Sequence, residues 1–95
     1  MKDVTIRVKG RVQGVGFRRW AVSKAKEIGG ISGWVHNDHD GTVLLRLKGD
    51  EANIDKMVVA CQKGPLFGRV DGLEFVVGRI SSFLPEVEDG VFVRV

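Results

Sequence analysis

A stretch near the N-terminus combines glycine, glutamine and arginine in a pattern that could bind an anion. It reads Gly-Arg-Val-Gln-Gly-Val-Gly-Phe-Arg over residues 10–18. An alternating apolar run precedes it and apolar residues at helical spacing follow it, so it predicts a turn from a strand into a helix. That helix would begin without a Ser, Thr, Asp or Asn cap, and with Arg18 and Arg19 in a turn that normally favours acidic residues. Unpaired backbone N–H groups, the positive end of the helix dipole and nearby cations together favour a phosphate-like anion.

The arginine at the end of this stretch strengthens the case for anion binding. The glycine pattern alone is weak evidence, because it is neither G-x-G-x-x-G nor a Walker A loop. Arg18 could add a two-pronged guanidinium to the backbone donors. However, an ordinary tight turn would need Gly14 and Gly16 as well. Spacing alone therefore leaves both interpretations open.

Asn37 is a second candidate for chemistry. It ends a predicted strand over residues 31–37 and shares the parity of Val35, so its side chain is expected on the helix-facing side of the sheet. An amide there could hold water or substrate beside the start of the first helix. Alternatively, Asn37 could only hydrogen-bond its own backbone at the turn over residues 38–41.

Other polar residues are predicted to have structural or solvated roles. His36 and His39 lie at a strand end and in a turn with no cysteine or third histidine nearby, so solvated histidines are expected rather than a metal site. Cys61 falls on the apolar stripe of the second helix and is interpreted as a core residue. Four loop carboxylates are interpreted as solvated charges rather than acid–base pairs: Asp38, Asp40, Glu86 and Glu88.

The elements that must position these residues follow from hydrophobic periodicity and turn signals. The prediction is strands over residues 4–12, 31–37, 42–48, 69–77 and 91–95, and helices over residues 17–28 and 50–63. Unlike the first helix, the second is expected to have the usual cap, Asp50. The order βαββαβ with a short C-terminal strand predicts an α+β, ferredoxin-like sandwich, with two helices on one face of a mostly antiparallel sheet. The other face is expected to be wet, with Leu44 exposed on it.

Bulk properties limit the function classes. The 95 residues suit one domain, 1–95, and the net charge of +3 without a long run of like charges permits either nucleic acid or small anions as partners. No apolar run approaches the roughly 20 residues that span a bilayer, and the N-terminus lacks a signal-peptide core. The single cysteine fits a reducing compartment. A cytoplasmic monomer without a membrane partner is therefore expected.

Two long segments resemble the signatures of the acylphosphatase family. Residues 10–18 resemble Gly-x-Val-Gln-Gly-Val-x-Phe-Arg at every specified position, and residues 33–43 resemble Gly-Trp-Val-x-Asn-x-x-Asp-Gly-x-Val. The resemblance covers nearly the whole chain and implies a ferredoxin-like sandwich. It also implies an enzyme that hydrolyses small acyl phosphates to a carboxylate and inorganic phosphate. We expect no metal and no cofactor, because the sequence has no cluster of metal ligands and Arg18 with the turn can neutralise the phosphoryl oxygens.

The resemblance also implies roles for individual residues. Arg18 would bind the phosphoryl group, and Asn37 would position the attacking water. The backbone N–H groups that assist Arg18 would be those of Gln13, Gly14, Val15, Gly16, Phe17 and Arg18.

Two other functions compete with this one. An RNA-binding domain of the same fold would stack bases on aromatic residues of the sheet, but predicted strands 1 and 3 contain none. The second competing function is that of a module that handles carbamoyl phosphate. Domains similar to acylphosphatase occur at the N-terminus of larger hydrogenase-maturation proteins. No second catalytic domain is expected in this chain, which ends at Val95.

Overall fold

The computed structural model describes residues 1–78 and 83–95, and the elements there follow the predicted order. They are β1 (Lys2–Arg11), α1 (Phe17–Ile28), β2 (Ile31–Asn37), β3 (Val43–Gly49), α2 (Glu51–Lys63), β4 (Arg69–Phe75) and β5 (Phe92–Arg94). Hydrophobic periodicity therefore located every element, with small differences at the ends. The final residues of the expected fourth strand, Val76 and Val77, lie outside β4.

The strands form one mixed sheet in the order β4-β1-β3-β2-β5. Neighbouring strands are antiparallel except for β5, which runs parallel to β2. α1 packs on β2 and β5, whereas α2 packs on β4, β1 and β3. The predicted ferredoxin-like α+β sandwich is confirmed.

Each helix buries one apolar stripe against the sheet. The stripes are Phe17, Ala21 and Ala25 in α1, and Ile54, Met57, Val58 and Cys61 in α2. Gly29 and Gly64 end the two helices as expected, and their N–H groups donate to backbone oxygens one turn earlier. Within the described part of the chain, neither helix has the length and apolar character needed to cross a membrane.

The expected contrast between a capped α2 and an uncapped α1 is only partly correct. Asp50 takes the N-cap position of α2 with an extended backbone, but its side chain makes no capping hydrogen bond. The N-cap of α1 is Gly16, in the left-handed conformation, also with no side-chain cap. The two helix starts differ instead in charge, because α2 has Glu51 in its first turn and α1 has no acidic residue there.

The expectation of a wet outer face is correct for Asp3, Lys9 and Glu74, which are exposed, but the expectation of an exposed Leu44 is wrong. Leu44 is 3% exposed and Trp34, on the same face, is 1% exposed. β4 and β5 lie at opposite edges of the sheet, and the described residues that precede β5 contact this outer face. The Trp34 indole N–H donates to the Pro85 carbonyl at 3.0 Å, and the Gly90 N–H donates to Ser32 Oγ at 2.8 Å. Both bonds hold the described segment before β5 against the outer face.

Candidate functional site

The turn between β1 and α1 presents backbone donors, as its sequence predicts. Gly14 and Gly16 have φ angles of 74° and 79°, a conformation that residues with a side chain rarely adopt. The first backbone hydrogen bond of α1 runs from the Trp20 N–H to the Gly16 carbonyl at 2.9 Å. The N–H groups of residues 17–19 precede that bond, and no side chain caps them. This arrangement leaves donors available to an anion.

A small cavity of about 110 Å³ lies at this helix start. Its lining residues come from the turn, α1, the end of β2 and β5, and they are Val12, Gly14, Gly16, Phe17, Arg18, Arg19, Asn37 and Arg94. Most of the predicted site residues therefore meet in one place. Gln13 and Val15 do not line the cavity.

Asn37 lines the cavity and has an unsatisfied amide oxygen. It is the last residue of β2, opposite Val43 of β3, and shares the helix-facing side with buried Val35. Its Oδ1 atom is buried and has no hydrogen-bond partner within residues 1–78 and 83–95. A buried polar atom without a partner is uncommon in folded proteins, because it loses its hydration without compensation. This acceptor is therefore suited to a ligand or to a water molecule.

Arg18 lines the cavity and also contacts the C-terminal end of the described chain. Its Nη1 atom donates to the backbone oxygen of Val95 at 3.3 Å. A guanidinium has five N–H donors, so this contact leaves most of them available. The remaining donors could contact an anion in the cavity.

Gln13 has a role that the sequence did not indicate. Its side-chain amide donates to the carbonyl of Thr42 at 2.9 Å and also to the carbonyl of Asp38. These bonds join the turn to the β2–β3 hairpin, which carries Asn37. Val15 packs against the hydrophobic core. Any contact of Gln13 or Val15 with a bound anion would therefore come from the backbone.

The hairpin turn is also held from its outer side by Arg7. Arg7 Nη1 lies 3.0 Å from carboxylate oxygens of both Asp38 and Asp40 and donates to Thr42 Oγ1 at 2.7 Å. The Arg7 hydrogen bond lowers the pKa of Asp38, and hydrogen bonds from Thr42 lower the pKa of Asp40. The prediction of a solvated charge is thus wrong for half-buried Asp38, whereas Asp40 is exposed as predicted and also pairs with Arg7. They belong to an ion-pair network that fixes the hairpin.

The remaining titratable candidates stay outside the cavity. His39 is fully exposed, as predicted, but His36 is half-buried and its Nδ1 atom is buried without a partner among the described residues. Cys61 is a core thiol, and burial raises its pKa to about 12. In the part of the chain that the structure describes, no three His, Cys, Asp or Glu side chains form a group that could hold a metal ion.

Sequence reasoning missed two basic residues of the cavity as site residues. The sequence indicated Arg19 only as the second cation in the first turn of α1. Arg94 gave no local signal, because its position depends on the parallel pairing of β5 with β2, in which it lies opposite Val35. That pairing joins segments far apart in the chain.

Comparisons with known proteins point to one family. A family model described as Acylphosphatase matches residues 4–83. The chain is 47% identical over 73 residues to an acylphosphatase from Rhodospirillum rubrum, which covers 77% of this chain and 79% of that protein. It is 42% identical over 87 residues to an acylphosphatase from Methylococcus capsulatus, with 87% and 94% covered. The crystal structure of acylphosphatase from Bacillus subtilis matches with a TM-score of 0.83 and 32% identity, covering 100% of this chain and 99% of that one.

Proposed function

The chain belongs to the acylphosphatase family and is an enzyme that hydrolyses acyl phosphates; we propose that the reaction takes place in the cavity at the start of α1. The phosphoryl group binds to the guanidinium of Arg18 and to the backbone N–H groups of residues 13–18. Asn37 positions the attacking water. The substrate is a small acyl phosphate, and the products are a carboxylate and inorganic phosphate.

The uncapped start of α1 supports the placement of the phosphoryl group. Its free N–H groups and the positive end of the helix dipole favour an anion, and no acidic residue in the first turn opposes one. Arg18 lines the same cavity and adds a permanent charge with planar donor geometry. Phosphoryl transfer asks a protein chiefly for such positioning and charge stabilisation. Arg18 and the backbone donors can neutralise the phosphoryl oxygens, so we expect neither metal nor cofactor to be required.

The observation that carries the assignment of Asn37 is a buried, unpaired amide oxygen on a residue that lines the cavity. This oxygen can accept a hydrogen bond from a water molecule and orient the water oxygen toward phosphorus. As the new P–O bond forms, the bond between phosphorus and the acyl oxygen breaks, and its electron pair leaves with the carboxylate. One proton of the water remains with the attacking oxygen and the other passes to a phosphoryl oxygen, which yields dihydrogen phosphate. A carboxylate is a good leaving group, so strong protonation by the protein is unnecessary.

Replacement of Asn37 by alanine tests this role. A water-positioning contact acts chiefly in the transition state, so kcat and kcat/KM should fall together while KM changes little. By analogy with the loss of an oxyanion-hole donor, the expected loss in kcat is about 10²–10³-fold. The measurement is phosphate release from acetyl phosphate, together with inorganic phosphate binding by calorimetry.

Asn53→Ala is the matched control, because Asn53 lies on α2 and does not line the cavity. If Asn37 only shapes the turn after β2, Asn37→Ala would lower thermal stability while kcat, measured well below the melting temperature, stays near wild type. That pattern would remove Asn37 from the catalytic site. If the wild-type protein hydrolysed neither acetyl phosphate nor a longer acyl phosphate, the proposed function as a whole would be overturned.

We also propose that the enzyme acts as a cytoplasmic monomer without a nucleic-acid partner. Strands β1 and β3 carry no aromatic side chain on which a base could stack. The arginines that line the cavity suit a small anion.

A further inference from the structure

A larger groove adjoins the cavity between α1 and β5. Its volume is about 490 Å³, and its lining residues are Arg19, Val22, Ser23, Phe92, Val93 and Arg94. Arg19 and Arg94 line both spaces, so the groove continues from the cavity. Small-molecule sites in proteins commonly have volumes of about 300–1,000 Å³. The groove is therefore large enough for a part of the substrate that the smaller cavity does not hold.

Local geometry gives the groove an apolar floor. Arg19, Val22 and Ser23 lie at i, i+3 and i+4 on one face of α1. Across from them, Phe92 and Arg94 lie opposite Gly33 and Val35 of β2, which places both on the helix-facing side of the sheet. Val22 and Phe92 are partly buried and pack against the hydrophobic core. A hydrocarbon segment could rest on these two side chains.

The charge of the groove is uncompensated. Arg7, Arg46 and Arg69 each pair with a carboxylate. By contrast, neither Arg19 nor Arg94 has an acidic partner anywhere in the described ranges, and no acidic residue lines the groove. A guanidinium is well matched to carboxylate and phosphate groups. Two unpaired guanidinium groups beside an apolar floor therefore suit a chain with an anionic end.

We propose that this groove binds the acyl part of the substrate and selects acyl phosphates whose acyl chain carries a second anionic group. The proposal rests on the proposed function, because it takes the phosphoryl group to occupy the cavity. The acyl group is attached to that phosphoryl group and must extend out of the cavity, and the groove is the adjoining space. The acyl chain of the substrate lies on Val22 and Phe92, and its anionic end binds Arg94 and Arg19. Both arginines act on specificity rather than on the reacting atoms.

Two substrates of equal length test the proposal. Adipoyl monophosphate ends in a carboxylate, and its terminal amide, adipamoyl phosphate, has the same apolar chain without the charge. The wild-type kcat/KM should favour the carboxylate by roughly 2- to 30-fold, the range expected for two partly exposed ion pairs. Arg94→Gln should reduce this preference, and the double variant Arg19→Gln/Arg94→Gln should abolish it. The readout is a ratio within one protein, so a change in folded fraction does not affect it.

Arg69→Gln is the charge-matched control. Arg69 pairs with Asp71 on β4, at the edge of the sheet opposite β5, so its loss removes one positive charge and should leave the preference unchanged. A wild type with no preference would overturn the proposal. So would a preference that survives in the double variant, or one that Arg69→Gln reduces as much as Arg94→Gln does. Acetyl phosphate, as a third substrate, separates failure of the groove proposal from failure of the proposed function. Hydrolysis without a preference for the carboxylate substrate removes only the groove proposal. If none of the three substrates is hydrolysed, the proposed function is refuted.

Discussion

Replacing Gln13 with alanine should loosen the connection between the phosphate-binding turn and the hairpin that carries Asn37. The substitution deletes two part-buried hydrogen bonds, to the carbonyls of Asp38 and Thr42. At a typical net value of about 0.5–1.5 kcal/mol per bond, the free energy of unfolding should fall by about 1–3 kcal/mol. For a domain of this size, about 1 kcal/mol corresponds to roughly 4–8 °C in melting temperature, so the expected decrease is roughly 4–24 °C.

The same substitution should also reduce kcat for acetyl phosphate, because Asn37 loses its fixed position relative to the turn. Gln13→Glu should be no better than Gln13→Ala, since a carboxylate cannot donate to two carbonyls and would repel them. The assays are thermal denaturation by circular dichroism and phosphate release below the melting temperature. Gln62→Ala, at an exposed position of α2, is the control and should change neither. An unchanged melting temperature for Gln13→Ala would refute the structural role assigned to its side chain.

Two further predictions concern titratable groups. The Arg7 hydrogen bond lowers the pKa of Asp38 below its usual 3.8, so the stabilisation from this pair is complete above pH 3.8 and is lost as the pH falls through the lowered folded value. The measurement is the free energy of unfolding in urea, near neutral pH and in acid. Its decrease in acid should be smaller in Arg7→Gln than in wild type, and equal decreases would contradict the pairing. The Cys61 thiol, fully buried with a pKa of about 12, should react slowly with a thiol-specific disulfide reagent in the native protein and rapidly in denaturant. If the native protein were labelled at the rate of a free thiol, Cys61 would be accessible to solvent, which would contradict its burial.

The features that sequence reasoning predicted are those set by local chain geometry. The uncapped start of α1 follows from the absence of capping residues before Arg18, and the orientation of Asn37 follows from strand parity with Val35. Both signals lie within a few residues of the feature that they predict. The helices and strands were located for the same reason.

The features that it missed depend on which strands become neighbours. Leu44 appeared exposed because alternation identifies a second face, but does not show which later segment lies against that face. Arg94 enters the cavity only through the parallel pairing of β5 with β2. The Gln13 side chain reaches carbonyls 25 and 29 residues away in the chain. No local pattern contains these contacts.

The central claim is that the phosphoryl group binds at the start of α1 through Arg18 and the backbone donors of the turn. An NMR titration of the ¹⁵N-labelled protein with inorganic phosphate, at constant ionic strength, tests it most directly. The account predicts that the largest shifts occur at the backbone amides of residues 13–18. It also predicts that Arg18→Ala weakens phosphate binding by about tenfold or more, as expected for the loss of a charged hydrogen-bond partner. Arg18→Lys should restore little of it, because a point charge does not replace the planar guanidinium. Shifts centred elsewhere, or equal phosphate affinity in wild type and Arg18→Ala, would contradict the account.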